Sequence, residues 1–517
     1  MKKICKTFAL FFILSFSPNL FAQNVQVTWG PELKIDSRMT LDGIIGDNAN
    51  SFYTLNSSLA TLFSSSHTSI NQYSKTDMNL MQTKELVIPN KDGKKVNFER
   101  LFYLKGKMIL FTSFYNSSED KNYAFVQYVK DDGTLNPNYK EVDEITATKK
   151  SNDGGFDFVR STDSSKILVY HSEAYDKNTN QKIHYKVLDT NLNEIWSKEL
   201  ELPYKDKNCT VFDYTVDNNG DVYMLAQIEL EKDQQQKGNP KNYRYEIVYY
   251  NHTTDALKEY NVNIGQKFIS SIRFELNSTG DLVCAGYYSN KDNYGEIGAF
   301  YLKINGQTKN VIATGFQEFD KDLLAKFIGV KEVNKGEEEY NLGADAILFH
   351  NDGTAYLIGE EYWMQVISNF NPRNNLEYDT YVNHANNILI VNFAANASVV
   401  WTKCIVKNQE LANSGKFYSS YSVQEVGKKL FFMYNDNSKN LKIQDPNKYK
   451  TMSNPYKSVA MLITIDEKGN EQRNPLFSAK DLDVTLRPML SFQVNPTTMI
   501  IYGEKLKKYK FGRVTFN

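Results

Sequence analysis

Cysteine is scarce in this sequence of 517 residues. Four are present, Cys5, Cys209, Cys284 and Cys404, and no two of them have C-x-x-C spacing. A disulfide framework needs an even, closely spaced set, and a cysteine-rich zinc site needs such pairs, so neither is expected. We predict that the three cysteines beyond residue 22 are small buried apolar residues.

An excess of charge of either sign is also absent. The 60 Lys and Arg residues balance 61 Asp and Glu residues, which leaves a net charge of -1. Nucleic acid or an anionic membrane surface is therefore not expected as the main partner. Beyond residue 22, no apolar stretch of the sequence approaches the roughly 20 residues that a membrane-spanning helix needs.

Catalytic motifs are lacking. The sequence has no G-x-S-x-G elbow and no Gly-rich phosphate loop. The six histidines show no H-E-x-x-H pair and no spacing that gathers three ligands on one element: His67, His171, His184, His252, His350 and His384. We predict no catalytic residue, no metal site and no cofactor. A metal bound by residues from distant parts of the chain, and a pair of carboxylates that hydrolyses glycans, stay open at this point.

The first residues have the pattern of a secretory leader. Lys2, Lys3 and Lys6 precede an apolar run over residues 8–16, and Ala22 ends a small-residue cleavage site. This pattern predicts a signal peptide over residues 1–22 and an exported mature chain over residues 23–517. Cys5 lies in the charged leader and not at the cleavage site, so no lipid anchor is predicted.

A hairpin pattern recurs along the mature chain. The stretch VFDYTVDNNGDVYMLAQIE at residues 211–229 is matched by IRFELNSTGDLVCAGYY from Ile272 and DAILFHNDGTAYLIGEE from Asp345. Each copy has an alternating first arm, a Gly turn and an apolar second arm. This pattern predicts a β-hairpin whose second strand is buried on both faces.

Tryptophan marks a second recurring strand. Trp29 in VTWGPELKI is matched by Trp196 in EIWSKELEL and Trp401 in VVWTKCIV. The later copies end a unit that began with a hairpin, so this is the outermost strand of a four-stranded unit. The first copy has no hairpin before it, and strands near the C-terminus, from about Leu486 to Asn517, supply the missing partners. Pairing the two ends removes the exposed edges of an open ring.

Together these units predict an all-β chain that forms a single β-propeller of eight four-stranded blades. Blade eight is the closing blade, made by both termini; seven blades remain the alternative count if blade one is misread. Blades one to seven are expected at about residues 39–89, 96–145, 156–202, 210–264, 268–315, 345–407 and 416–483. The chain resembles the β-propeller superfamily in this repeat pattern and terminal closure. It has no signature of the WD40, kelch or sialidase families, so no catalytic residue of theirs is carried over.

One segment departs from the repeat. Residues 317–343, between blades five and six, place Phe319, Leu323 and Phe327 four residues apart, with Leu324 and Ile328 beside them. That spacing predicts a short amphipathic helix. We expect this helical insert to lie against the rim of the propeller, and a helix that docks a partner is the alternative.

The connections differ in length between the two faces of the predicted propeller. Turns that join the first strand of a blade to the second, and the third to the fourth, are short. The other connections are long, and they define what we call the long-loop face. Insertions in repeat proteins commonly form the binding face, and tyrosine suits recognition. The predicted contacts there are Tyr175, Tyr243, Tyr288, Tyr294, Tyr362, Trp363, Phe370, Tyr378, Tyr449 and Tyr456.

We therefore expect a non-enzymatic exported propeller that binds a protein through its long-loop face. The leader and a composition rich in Lys, Asn, Ile and Tyr resemble proteins of Bacteroidota, in which such propellers accompany outer-membrane secretion or uptake complexes. A periplasmic or outer-membrane-associated location is favoured over an extracellular one. The alternative is a glycan-binding or carbohydrate-active propeller, which requires acidic side chains and an aromatic platform at the mouth of the channel.

Overall fold

The computed structural model describes residues 25–36, 39–58, 67–147, 154–233, 242–291, 294–350, 352–373 and 375–516. The predicted leader, residues 1–22, lies outside this part of the chain. Within it, no helix is long and apolar enough to cross a membrane.

The described residues form 35 strands and three short α-helices. The chain starts with β1 Val25–Trp29 and β2 Leu33–Lys34. Blade one has β3 Thr40–Asp47, β4 Ser51–Ser57, β5 Thr68–Ser74 and β6 Leu80–Glu85. Blade two has β7 Asn97–Leu104, β8 Lys107–Asn116, β9 Lys121–Val129 and β10 Lys140–Thr146. Blade three has β11 Asp157–Arg160, β12 Lys166–Ser172, β13 Asn180–Asp189 and β14 Glu194–Lys205.

The middle of the chain continues this order. Blade four has β15 Cys209–Val216, β16 Val222–Glu229, β17 Tyr243–Asn251 and β18 Ala256–Asn261. Blade five has β19 Phe268–Leu276, β20 Leu282–Ser289, β21 Gly298–Ile304 and β22 Val311–Glu318. The insert contains α1 Lys321–Ile328 and α2 Val330–Asn334. Blade six has β23 Leu342–Phe349, β24 Ala355–Asn371, β25 Leu376–Phe393, β26 Val399–Ile405 and β27 Glu410–Ala412.

The last two sheets complete the chain. Blade seven has β28 Ser422–Val426, β29 Lys429–Asn437, β30 Ser458–Ile465 and β31 Glu471–Ser478, followed by α3 Ala479–Leu482. The closing blade has β32 Thr485–Leu486, β33 Phe492–Asn495, β34 Thr498–Lys505 and β35 Lys508–Phe516.

These strands make eight antiparallel sheets. In seven of them the four main strands follow sequence order, and in the closing blade β1 lies beside β35. Between every two successive sheets lies one cluster of buried apolar side chains, and the described residues give eight such clusters. One of them joins blade seven to the closing blade, and another joins the closing blade to blade one. The sheets therefore follow one another around a closed ring, which is an eight-bladed β-propeller, as predicted.

The N-terminal strand closes this ring. Strand β1 pairs antiparallel with β35 over five residues, from Val25 opposite Phe516 to Trp29 opposite Gly512. Strand β2 continues along the same edge, with Leu33 opposite Tyr509. A Cβ at Gly512 would lie 3.0 Å from the Trp29 ring, so glycine there allows the indole to cross the strand closely. The predicted pairing of the chain ends is confirmed.

Trp29 packs between two blades, as Trp196 and Trp401 do, but on the opposite side of its own blade. The indoles of Trp196 and Trp401 each donate a hydrogen bond to a backbone carbonyl of the following blade. The Trp29 ring instead contacts Phe477 in the preceding blade, with ring centroids 4.9 Å apart. Pro31 has no backbone N–H, and the strand is interrupted between β1 and β2. Side chains before and after the interruption therefore do not follow one continuous alternation between the two faces of the sheet.

A β-bulge recurs on the innermost strands. In five blades the pairing of the first strand with the second skips a residue, and in blade one it does so twice. A bulge turns an extra side chain away from the regular alternation. The skipped residues are Asp42, Ile45, Glu99, Phe212, Ser270 and Asp345.

The insert lies against the rim, as expected. Helix α1 begins at Asp320, whose side chain accepts a hydrogen bond from the Leu323 backbone. Leu323 is buried in the cluster between blades five and six, and Phe319 and Phe327 pack against that cluster. The Asn387 side chain donates to the carbonyl of Lys326 over 3.1 Å, which ties the end of α1 to blade six.

The three cysteines of the described chain are free and buried, in three different apolar clusters. Burial raises the pKa of the Cys209 thiol to about 12 and that of Cys404 to about 12. These positions therefore serve packing, as the sequence suggested.

Removing the closing strands should destabilise the ring. Deletion of residues 25–35 exposes the edge of β35 and the side chains packed against Val25 and Trp29. Each large apolar side chain contributes roughly 1.5–3 kcal/mol on burial, against a total stability of roughly 5–15 kcal/mol. We expect a marked fall in Tm or aggregation, measured by circular dichroism.

The matched control is Gln26→Ala combined with Thr28→Ala, because both side chains are exposed on β1 and leave the strand pairing intact. It should melt like the intact protein. A truncated chain with an unchanged Tm would contradict closure by β1.

Candidate functional site

One connection on the long-loop face is a β-hairpin and not a loop. Strands β24 and β25 extend well beyond the other strands of blade six, and ten residue pairs join them from Tyr362 opposite Ala385 to Asn371 opposite Leu376. We call residues 362–385 the arm. At about 3.4 Å per residue, the ten pairs span roughly 30 Å. This long connection, which was expected as one of the loops, is therefore a regular hairpin.

Local sequence explains the arm. YWMQVISNFN and LEYDTYVNH are rich in aromatic and β-branched residues, which favour strands. Asn and Pro between the two stretches favour a turn. At the turn the Asn371 side chain accepts a hydrogen bond from the Arg373 backbone over 3.0 Å, and Asn375 adopts a positive φ of 56°.

The arm exposes apolar side chains on both faces. Alternation along the strands and the cross-strand pairs place Met364, Val366, Phe370 and Tyr381 on one face and Ile367, Leu376 and Tyr378 on the other. All seven are between 41% and 59% exposed. Only three residues of the arm are charged, namely Arg373, Glu377 and Asp379. A two-stranded hairpin with apolar residues on both faces is marginally stable alone and is typical of a surface that a partner covers.

The edges of the arm are largely open. Within the described residues, β27 pairs only with residues 382–384 of β25, and Asn413 adds hydrogen bonds to the Tyr381 backbone. Beyond that point the backbone groups on the outer edges have no strand partner in the described part of the chain. Such an edge can accept a further strand from another chain.

A buried ion pair holds the base of the arm. Lys407 Nζ lies 2.9 Å from Glu360 Oε1, and both side chains are fully buried. The same ammonium donates to the Ala385 carbonyl over 2.5 Å and to Gln409 Oε1 over 3.0 Å. Lys416 lies 3.4 Å from the second Glu360 oxygen and 4.0 Å above the Tyr362 ring. The arm therefore leaves the blade in a defined direction.

A small apolar cluster supports the same base from the side of blade seven. Leu411 of β27 packs with Tyr418 and Met452, and Phe417 and Tyr456 lie against them. Backbone hydrogen bonds join Met452 to both Asn408 and Glu410. The long connection between β29 and β30 therefore packs against the arm's base.

The ten predicted contact residues differ widely in exposure. Four are exposed: Tyr175, Tyr294, Phe370 and Tyr378. Five are half-buried: Tyr243, Tyr362, Trp363, Tyr449 and Tyr456. Tyr288 is fully buried, because β20 is covered on both faces, so its ring serves the core.

Four of these residues, Tyr362, Trp363, Phe370 and Tyr378, share the arm, and the other six are distributed over blades three, four, five and seven. At the base of the arm the Tyr362 hydroxyl donates to Asn383 over 2.8 Å, and Trp363 stacks on His384 with centroids 4.4 Å apart. Sequence reasoning missed Met364, Val366, Ile367, Leu376 and Tyr381. The alternation of apolar and polar residues in the two strands of the arm was the sequence signal for exposed strand positions.

Acidic side chains also gather where the insert meets blades five and six. Glu296 and Glu339 exchange backbone hydrogen bonds, and Glu361 Oε2 accepts from the Asn387 backbone over 3.3 Å. Burial, with Glu339 nearby, raises the pKa of Glu296 and that of Glu361 to about 8 each. Both carboxyls therefore bind a proton at a higher pH than an exposed glutamate does.

The inner strands bring a second set of charges to the channel. Burial raises the pKa of Asp42, that of Asp213 and that of Asp345, the last to about 6. Nearby arginines lower these pKa values in part: Arg487 acts on Asp42, and Arg273 acts on Asp213 and Asp345. Phe212, next to Asp213, is 54% exposed. A cavity of about 620 Å³ between the inner strands of blades one to three and the closing blade is lined in part by Arg100 and Arg160.

Comparisons with known proteins give only distant likenesses. No family model and no curated protein matches the sequence. Similar solved structures include the β-propeller domain of the Trilobed protease from Pyrococcus furiosus, with 10% identity over 86% of this chain and 97% of that chain and a TM-score of 0.37.

The WD40 domain of SCAP from fission yeast is 8% identical over 97% of each chain, with a TM-score of 0.40. The acylaminoacyl peptidase of Pyrococcus horikoshii is 8% identical over 90% of this chain and 58% of its own, with a TM-score of 0.36. Likeness at this level carries no functional argument. The class is therefore defined by the eight sheets and their closure: a β-propeller with an extended hairpin arm.

The raised carboxyl pKa values predict a pH dependence of stability. Because the folded pKa of Glu361 is about 8 and its ordinary value is 4.5, the folded state binds more protons than the unfolded state between these values. Stability contributed by this group is present below about pH 4.5 and falls as pH rises towards 8. We expect Glu361→Gln, which keeps the acceptor for Asn387, to reduce the loss of Tm between pH 5 and pH 8 by several degrees.

Glu377→Gln on the exposed arm is the control and should keep the full pH dependence. Parallel melting curves for Glu361→Gln and the intact protein across this range would show that Glu361 is charged in the fold.

Proposed function

We propose that this chain is a non-enzymatic exported propeller that binds another protein, with the arm as its principal contact. The observation that supports this most is the arm itself, with seven exposed apolar residues on two faces and open backbone edges. Aromatic and Met side chains are enriched at protein interfaces, and an open strand edge adds main-chain hydrogen bonds. The partner we infer is a protein that covers the arm by strand addition or in an apolar groove.

The rigid base favours binding through the arm. A hairpin whose direction is held by Lys407, Glu360 and the cluster around Leu411 loses less conformational entropy on binding than a flexible loop. Tyr175 and Tyr294, exposed on other long connections, extend the proposed surface beyond the arm.

The cellular setting is part of the same proposal and depends on the leader and the composition. We propose a periplasmic or outer-membrane-associated protein of a Gram-negative bacterium of the Bacteroidota type. Its partner is then a component of an outer-membrane secretion or uptake complex. The balanced charge of the chain is consistent with a protein partner rather than a nucleic acid.

The test compares two sets of exposed apolar residues. Replacing Val366, Phe370 and Tyr378 by Ser removes the apolar contacts of the arm, and loss of interface anchors costs about 1–4 kcal/mol each. We expect the intact protein to recover a stoichiometric partner from envelope extracts and the triple variant to recover at least about tenfold less. Quantitative mass spectrometry after affinity capture measures this.

The matched control is Val400→Ser, since Val400 is 56% exposed and lies beside a short turn between the third and fourth strands of blade six. It should recover the partner normally. Both variants should melt like the intact protein, because none of the four side chains belongs to a buried cluster. Recovery of the intact protein alone, or equal recovery by the triple variant, would contradict the proposal.

A glycan-binding or carbohydrate-active propeller is the second candidate. The supporting observation is that exposed Phe212 lies next to Asp213 on a bulged inner strand, with Arg273 near Asp213 and Asp345. Aromatic rings and carboxyl groups together suit sugar binding and, in pairs, sugar cleavage. On this reading a polysaccharide panel contains a ligand whose affinity falls about tenfold or more in Phe212→Ala and is unchanged in Phe370→Ser. No saturable ligand in such a panel would remove this candidate.

A further inference from the structure

Three neighbouring strands of blade three align polar side chains in one row. In the pairing of β12, β13 and β14, His171 lies opposite His184, and His184 lies opposite Glu199. Residues directly opposite one another share a face of the sheet. Glu173 follows β12 two residues after His171, and its backbone N–H donates to the Lys182 carbonyl over 3.2 Å. Glu173 therefore belongs to the same face.

The ligand atoms of this row converge. His184 Nε2 lies 3.5 Å from Glu173 Oε1 and 3.5 Å from Glu199 Oε2. The three groups offer one nitrogen and two oxygens that all lie within 4.8 Å of one another. All three side chains are between 31% and 49% exposed, so solvent and ions reach them.

These distances suit a shared ion better than hydrogen bonds. An N–H···O hydrogen bond is usually about 2.7–3.2 Å long, and one Nε2–H cannot serve two acceptors well. Around a tetrahedral Zn²⁺ with bonds of about 2.0–2.1 Å, neighbouring ligand atoms lie about 3.3 Å apart. The separations of 3.5 Å from Nε2 to each carboxylate oxygen are close to that value.

The surroundings fix the imidazole. The His171 ring stacks on the His184 ring with centroids 4.5 Å apart and planes 8° from parallel. His171 is itself buried and lies 3.0 Å from Asp143 Oδ2 of blade two. Outer groups that orient a ligand ring are common in metal sites. The orientation of His184 is therefore set by packing and not by its carboxylate neighbours alone.

We propose that Glu173, His184 and Glu199 bind a divalent transition-metal ion, Zn²⁺ or one of similar ligand preference. Three protein ligands leave a fourth position for water or for a partner's side chain. Imidazole with carboxylate suits Zn²⁺, whereas Ca²⁺ takes six to eight oxygen ligands. Lys182 Nζ lies 3.1 Å from Glu199 Oε1, which leaves Oε2 directed at His184.

The prediction of no metal site rested on the spacing of histidines within single elements, and it left open ligands from distant parts of the chain. Here the ligands come from β13, β14 and the residue after β12, so only the strand pairing brings them together. A bound ion would tie Glu173, the first residue of the connection that carries Tyr175, to two strands of the blade.

The test is calorimetric titration of the chelator-treated full chain with Zn²⁺, followed by Co²⁺ absorption spectroscopy as a readout of ligand geometry. We expect one saturable site in the intact protein. His184→Ala and Glu199→Gln should each lower the affinity by about tenfold or more, since even indirect partners of a metal ligand have effects of that size. Lys182→Ala should keep the site or tighten it, because it removes a competing positive charge.

His67→Ala is the matched control: His67 is exposed and lies 2.6 Å from the carboxylate of Glu85. It should bind Zn²⁺ like the intact protein. Unchanged Tm values of the metal-free variants confirm that they fold. Absence of a saturable site, equal affinity in His184→Ala, or loss of binding in Lys182→Ala would each overturn the proposal.

Discussion

Pairing between the two ends of the chain is the interaction on which the rest of the structure depends. Every blade buries its two faces only against its neighbours, so a ring with one blade incomplete would expose two apolar faces and a sheet edge. The five pairs between β1 and β35 supply the missing outer strand. The other blades are local hairpin units, but the contact that makes them one body joins residues nearly the whole sequence apart. The ring is therefore complete only when β1 and β35 have paired.

The fold was predictable wherever the determinants are local. Hairpins are identified by two-residue alternation and by turn residues such as Gly220 and Gly280. Closure is identified by the N-terminal strand with Trp29, which has no hairpin before it. The orientation of Trp29 was not predictable, because a break at Pro31 resets the alternation. At the candidate site, the length of the connection over residues 362–385 was evident from the sequence, whereas its hairpin structure was not predicted despite its strand-like pattern. Burial of Tyr288 and the grouping of Glu173 with His184 depend on strand register and packing, which a single sequence does not state.

The base of the arm shows a different use of polar residues. A buried ion pair such as Lys407 and Glu360 gains little net stability, because both charges lose their hydration. It does impose geometry, since the ammonium must reach Glu360, the Ala385 carbonyl and Gln409 at once. Apolar packing tolerates small rotations, but three directional bonds to one nitrogen do not. The pair is thus better understood as setting the direction of the hairpin than as strengthening the blade.

The bulges on the inner strands have a consequence for how this propeller can change over evolutionary time. A bulged residue is skipped by the ladder, so its side chain is released from the alternation that divides each strand between two neighbouring blades. Five of the skipped residues, all but Ile45, belong to no interblade cluster, so substituting them removes no side chain from those clusters. The six skipped residues already include acidic, aromatic, aliphatic and hydroxyl side chains. The lining of the channel can therefore acquire new chemistry by single substitutions while the packing between blades stays under constraint.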